Sequence, residues 1–138
     1  MNRILFLLMI PLWCFGQTPM SKLHKSVKEF PRGKYTYQNI ADKLAVYAKS
    51  DMDNAKLIYL WIADNIDYDV KALNSGNLPD GSPEKTLKRK KAICDGYARL
   101  YNAMASHLGL QVEMVNGFSK ESEKAVSYTH LTLPTTPY

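Results

Sequence analysis

Apolar residues recur at helical spacing in three stretches of the chain and alternate in a fourth. Ile40, Leu44 and Tyr47, with Ala41 and Ala48 beside them, predict a short helix. Asp51 or Asp53 is placed to cap the next one, whose apolar stripe is Ala55, Ile58, Tyr59, Ile62 and Ile66. Trp61 lies at the edge of that stripe and reads as core packing. Residues 73–84 hold two glycines and two prolines and read as a loop. A third helix follows, with Tyr97, Tyr101, Met104 and Leu108 on its core face and Gly109 placed for the left-handed residue that ends it. Leu110, Val112 and Met114 then alternate with Gln111 and Glu113, the pattern of a strand with one buried face. Residues 17–35 are polar, are broken by Pro19, Pro31 and Gly33, and read as an exposed lead-in with His24 solvated. The order of helix, helix, loop, helix and strand predicts an α+β fold in which helices precede the first strand of an incomplete antiparallel sheet.

The amino terminus changes the accounting of cysteines. Residues 4–15 form an apolar run behind Arg3, with small residues at Cys14 and Gly16, the pattern of a signal peptide over 1–16. A secreted or periplasmic protein is expected, with no membrane attachment after cleavage; the alternative is an uncleaved anchor. Cys14 leaves with the leader, so Cys94 is the lone cysteine of the mature chain. An odd thiol outside the cytosol either pairs with another chain or is reactive.

Composition narrows the function classes. The chain has 138 residues, enough for one modest domain. With 46% hydrophobic and 22% charged residues it falls among globular rather than disordered chains. The net charge of +5 is concentrated only in the run KTLKRKK, residues 85–91, which reads as a solvated face or loop. That run has no interleaved aromatics and belongs to no nucleic-acid-binding module, so no nucleic-acid partner is inferred. Metal-ligand clusters, a phosphate loop and Rossmann glycines are absent from the sequence, and no cofactor is inferred.

Cys94 is the candidate for chemistry. It falls at the start of the third helix, where unpaired N–H groups and the helix dipole favour negative charge. Arg89, Lys90 and Lys91 precede it closely, and such surroundings favour the reactive thiolate. Gly96 would keep the first turn clear for a substrate backbone. The competing reading is a small buried hydrophobe.

Two linked motifs decide between them. AKLIYLWIADNIDYD carries Trp61, Asn65, Ile66, Tyr68 and Asp69, and KKAICDGYARLYNAMASHLGLQVEMVNGFS carries Cys94, Gly96, Tyr97 and Ala98, then Leu108, Gly109 and Gly117. Over about residues 36–119 this resembles the bacterial transglutaminase-like family and its kyphoscoliosis-peptidase-type relatives. The resemblance implies a papain-like α+β fold and a Cys-His-Asp triad with Cys94 as nucleophile, Gly96 and Tyr97 in contact with substrate, and a peptide or protein as that substrate.

The resemblance places the histidine on a strand beyond the one that follows the cysteine helix, and the aspartate on the next. His24 matches no such position. His107 lies on the cysteine helix itself, about 20 Å along its axis from Cys94, beyond the reach of a general base. His130 sits in SYTHLTLP, without the aromatic-rich context the family shows, and no acidic residue follows it. Residues 125–138 lack Lys, Arg, Asp and Glu, and one back-translation of 126–135 looks like a transposon-end sequencing adapter; the alternative is a natural Thr/Pro-rich linker. Residues 36–124 are therefore read as the N-terminal part of a transglutaminase-like domain, and 125–138 as a non-native tail packing against nothing. Two functions follow: a fragment of a secreted thioester-forming cysteine enzyme, inactive as given, or a noncatalytic module binding peptide or cell-wall material.

Overall fold

The computed structural model describes residues 18–31, 33–119 and 126–132. The leader read over 1–16, including Cys14, lies outside them. Among the described residues, six helices and four strands follow in chain order: α1 (Met20–Lys28), α2 (Tyr37–Ala45), α3 (Asp51–Asn65), β1 (Asp67–Tyr68), α4 (Val70–Ser75), α5 (Pro83–Arg89), β2 (Lys91–Ala92), α6 (Cys94–His107), β3 (Glu113–Ser119) and β4 (Val126–Thr132). The α+β expectation holds, with helices dominant.

α3 is the axis of the core. Ser50, rather than either aspartate, caps it by accepting the Asp53 N–H at 3.2 Å. Asp53 turns inward instead, where its carboxylate accepts Thr18 Oγ1 at 2.6 Å and the Lys49 N–H at 3.2 Å. Leu57 and Ile58 are fully buried and Trp61 nearly so, whereas Tyr59 points to solvent. The predicted stripe is buried except for Tyr59, Trp61 packs in the core as expected, and burial is wider than one stripe because α1, α2 and α6 all pack against α3.

The lead-in is not merely exposed. α1 occupies part of it and buries Leu23 and Val27 against the core, one helical turn apart. His24, expected in solvent, meets Asp64 of α3 at 2.9 Å. The loop reading of 73–84 is also revised. Its start belongs to α4, ended by left-handed Gly76, and its end opens α5 behind Ser82 and Pro83.

α6 follows the predicted pattern. Met104 is fully buried, Tyr97, Tyr101 and Leu108 pack against the core, and Gly109 has φ +77° just past the helix end. From Gln111 to Val115 exposed and half-buried positions alternate, as predicted for a strand with one covered face.

The expectation that the tail packs against nothing does not hold. The backbone of β4 pairs antiparallel along all of β3, from Glu113↔Thr132 to Ser119↔Val126, and lies beside α6. An unpaired strand edge accepts any segment of adequate β propensity, and VSYTHLT is rich in β-branched and aromatic residues.

Candidate active site

The two sequence motifs meet through a ladder only two residues long. β1 and β2 run parallel, with Tyr68 in register with Ala92. The Asp67 N–H donates to the Lys90 carbonyl and the Asp69 N–H to the Ala92 carbonyl, both at 2.9 Å. This clamps the carboxyl end of α3 to the amino end of α6, where Cys94 is the first helical residue. The preceding Ile93 is extended and supplies no side-chain cap. The side-chain cap that an Asn or Ser would give the first turn is thus missing at this helix start.

Cys94 is half-buried and opens on a cleft of about 460 Å³ between α3 and α6. Tyr59, Ile62 and Ala63 line it from α3, and Tyr97, Ala98 and Tyr101 from α6. No formally charged side chain is among these. Uncharged, partly apolar walls weaken screening, so the dipole of α6 acts on the sulfur more strongly than it would in open water.

Tyr97 fixes the geometry. Its hydroxyl donates to the Ile66 carbonyl, and its ring stacks on Tyr68 with centroids 6.1 Å apart and planes 27° from parallel. Burial raises the pKa of its hydroxyl, aided by the negative charge of Asp67 and by Tyr68. Tyr101 reaches the Ala55 carbonyl at 3.3 Å, and burial raises its pKa too. Both hydroxyls thus remain neutral hydrogen-bond donors that tie α6 to α3.

Gly96 differs from expectation. It is buried, and a Cβ there would stand 2.8 Å from the Ala92 Cβ and 3.1 Å from Thr86 Oγ1. Its observed contribution is the close approach of α6 to α5 and β2, rather than clearance on the cleft side. Asp95 turns to Arg99, whose Nε donates to its Oδ2 at 2.7 Å, and this contact raises the pKa of the guanidinium.

The basic residues of 85–91 are exposed, as expected of a solvated face, but two of the cations expected near the thiol turn elsewhere. Lys90 takes the left-handed conformation at the end of α5, φ 56° and ψ 22°, and its Nζ sits 5.0 Å from the centroid of the Trp61 ring. Arg89 points back to the Asp80 carbonyl at 3.0 Å. The turn at Lys90 redirects the chain, so proximity in sequence does not bring these two cations to the thiol.

His24 is held by Asp64, and His107 meets Asp42 of α2 at 2.8 Å. Neither lines the cleft of Cys94. His130 stands opposite Val115 in the β3–β4 register. Among the described residues, no group of three or more His, Cys, Asp and Glu side chains could hold a metal ion, and no helix is long and apolar enough to cross a membrane.

Sequence reasoning missed Tyr59, Tyr68 and Tyr101 as neighbours of the site. The signal was present for Tyr101, one turn beyond Tyr97 on the same helix face. It was absent for Tyr68, whose place depends on a ladder too short to show periodicity.

Comparison with known proteins agrees with this arrangement. The model of the transglutaminase-like superfamily matches residues 38–133. Kyphoscoliosis peptidase of Mus musculus is 37% identical over 73 residues, and that of Homo sapiens 34% over 73 residues. Each alignment takes in 53% of this chain and 11% of the relative, so the chain spans about a tenth of the length of these curated relatives. The family match covers both motifs and the ladder that joins them, and the chain belongs to the transglutaminase-like superfamily.

Proposed function

We propose that Cys94 is the nucleophile of a thioester-forming acyl transfer on peptide or protein substrates. The observation that carries this is its position: first residue of α6, without a side-chain cap before it, opening on an uncharged cleft. The Sγ attacks a carboxamide carbon, a C–S bond forms, the C–N bond breaks, and the leaving amine takes up a proton. Water then releases a carboxylic acid, or a second amine forms a new amide. The α6 first-turn N–H groups are suited to hold the developing oxyanion. The proton transfers need a base that neither His24 nor His107 supplies, since neither lines the cleft of Cys94. Without that base, Cys94 is expected to take an acyl group from an activated ester but not to turn over an amide.

The same observation favours a second reading, a noncatalytic transglutaminase-like module that binds peptide or cell-wall material in the tyrosine-lined cleft. Export through the leader 1–16, no nucleic-acid partner and no membrane attachment after cleavage complete the proposal. Residues 125–138 are proposed to be non-native, which codons departing from the adapter string would refute.

A p-nitrophenyl ester of an acetylated dipeptide tests the chemistry, because such an ester acylates a competent thiol without a general acid. Intact mass should rise by one acyl group, mapped to Cys94 and lost in Cys94→Ala, with no catalytic release of acid. Absence of acylation at Cys94 refutes the nucleophile and favours the binding module. Sustained turnover refutes the inactivity.

A further inference from the structure

Trp61 takes no part in the thiol cleft. Around its indole a second and larger cleft opens, about 830 Å³, between α1, α3, α5 and the segment that leads into α2. Its floor is aromatic. Phe30 meets Tyr35 edge-on, with centroids 5.8 Å apart at 82°, and meets Trp61 at 6.0 Å and 67°. Its rim carries Lys28, Lys34, Lys88 and Lys90. Among the described residues, none of these four lysines forms an ion pair. Asp64 is the one carboxylate lining the cleft among the described residues, and His24 already engages it at 2.9 Å.

Lys90 marks this cleft as more than a solvated face. It is the only non-glycine residue at positive φ among the described residues. Glycine or asparagine usually ends a helix in that conformation, and a lysine there is strained. The strain is retained where it holds an ammonium group over the Trp61 ring, 5.0 Å from its centroid. Burial lowers the pKa of this group, as expected of a cation without a carboxylate partner.

We propose that this cleft binds an acidic peptide segment, with Asp or Glu carboxylates on the lysine rim and an apolar side chain of the same segment on the half-buried Phe30 and Tyr35 rings, behind which Trp61 packs. Charge complementarity selects the anion. The floor selects a peptide over a single-stranded nucleic acid, since its rings stand edge-on to one another and offer no platform for successive stacked bases. The site does not depend on the thiol chemistry.

Fluorescence anisotropy of a labelled, acetylated Glu-Glu-Leu-Glu-Glu-Leu peptide against the full chain tests this. Saturable binding that weakens with salt is expected. The double substitution Lys88→Gln, Lys90→Gln should weaken it about tenfold, within the range for two exposed pairs. Lys71→Gln, on α4 outside the cleft, should leave it unchanged. Lys90→Gly should raise the melting temperature by about 4 °C through relief of strain while still weakening binding, which separates a lost ligand contact from a damaged fold. Absence of binding, equal weakening by Lys71→Gln, or displacement of the peptide by an oligothymidylate of equal charge at lower concentration would each overturn the proposal.

Discussion

Two sides of α3 face two clefts of opposite character. Tyr59, Ile62 and Ala63 look onto Cys94 across walls without formal charge, while Trp61 and Asp64 look onto a rim of four lysines. Adjacent positions Trp61 and Ile62 are divided between them because successive helical residues turn by about 100°. The difference bears on the thiol. The left-handed turn at Lys90 places that cation on the Trp61 side and returns the chain to α6 empty-handed. The activation proposed for Cys94 then rests on the helix amino terminus rather than on Lys90 or Arg89.

The strongest way to break the comparison is to collapse both sides at once. Leu57 is fully buried in the core that α3 shares with its neighbours. Leu57→Ala should cost about 3 kcal/mol by chemical denaturation and abolish both clefts together. A loss below about 1 kcal/mol would mean that the two sides do not share one core.

Gly96→Ala should act on the thiol side first. Its Cβ would press on Ala92, and a loss of about 2 kcal/mol is expected. Ala92→Gly in the same chain should restore most of it, and a cycle without coupling would contradict the packing role of Gly96.

Tyr97→Phe removes the hydroxyl that holds the end of α3 to α6 and should cost about 1 kcal/mol. Because burial raises the pKa of Tyr97 above its usual 10.0, its stabilisation is complete below that value and is lost as pH rises through the raised one. The variant should therefore show a flatter alkaline decline in melting temperature. Some decline should persist, since Tyr101 is raised as well. An unchanged alkaline limb would contradict the assignment.

The smallest effect is expected at Asp80, which lies outside both clefts. Hydrogen bonds from Lys85 and from the Ser82 N–H hold its carboxyl at about 2. Its contribution is present above the usual 3.8 and is lost as pH falls toward 2. Asp80→Asn should slightly flatten acid denaturation and leave both clefts intact, and any change in Cys94 labelling would show an unrecognised link.

What the sequence made legible follows from which forces are local. α6, its left-handed Gly109 and its buried Met104 follow from periodicity and from the steric freedom of glycine, both readable within one turn. α1 was obscured by Pro19, Pro31 and Gly33, which flank rather than interrupt it, although Leu23 and Val27 already carried the i, i+4 spacing. The β1–β2 ladder was illegible because two-residue strands have no period, and Gly96 because the atoms that crowd it come from β2 and α5. The direction of Lys90 was hidden for a related reason. A positive φ at lysine opposes local preference, so only the tertiary arrangement could reveal it.

The central claim is that the folded site, rather than nearby side-chain cations, activates Cys94. The most direct test is the rate of iodoacetamide alkylation of the Cys94 peptide at neutral pH, in the native chain and in concentrated urea. A half-buried but unactivated thiol reacts more slowly when folded, because the fold only shields it. The account predicts the reverse, with native Cys94 labelled faster than the unfolded thiol and the excess retained in Lys90→Gln; a native rate at or below the unfolded one would contradict it.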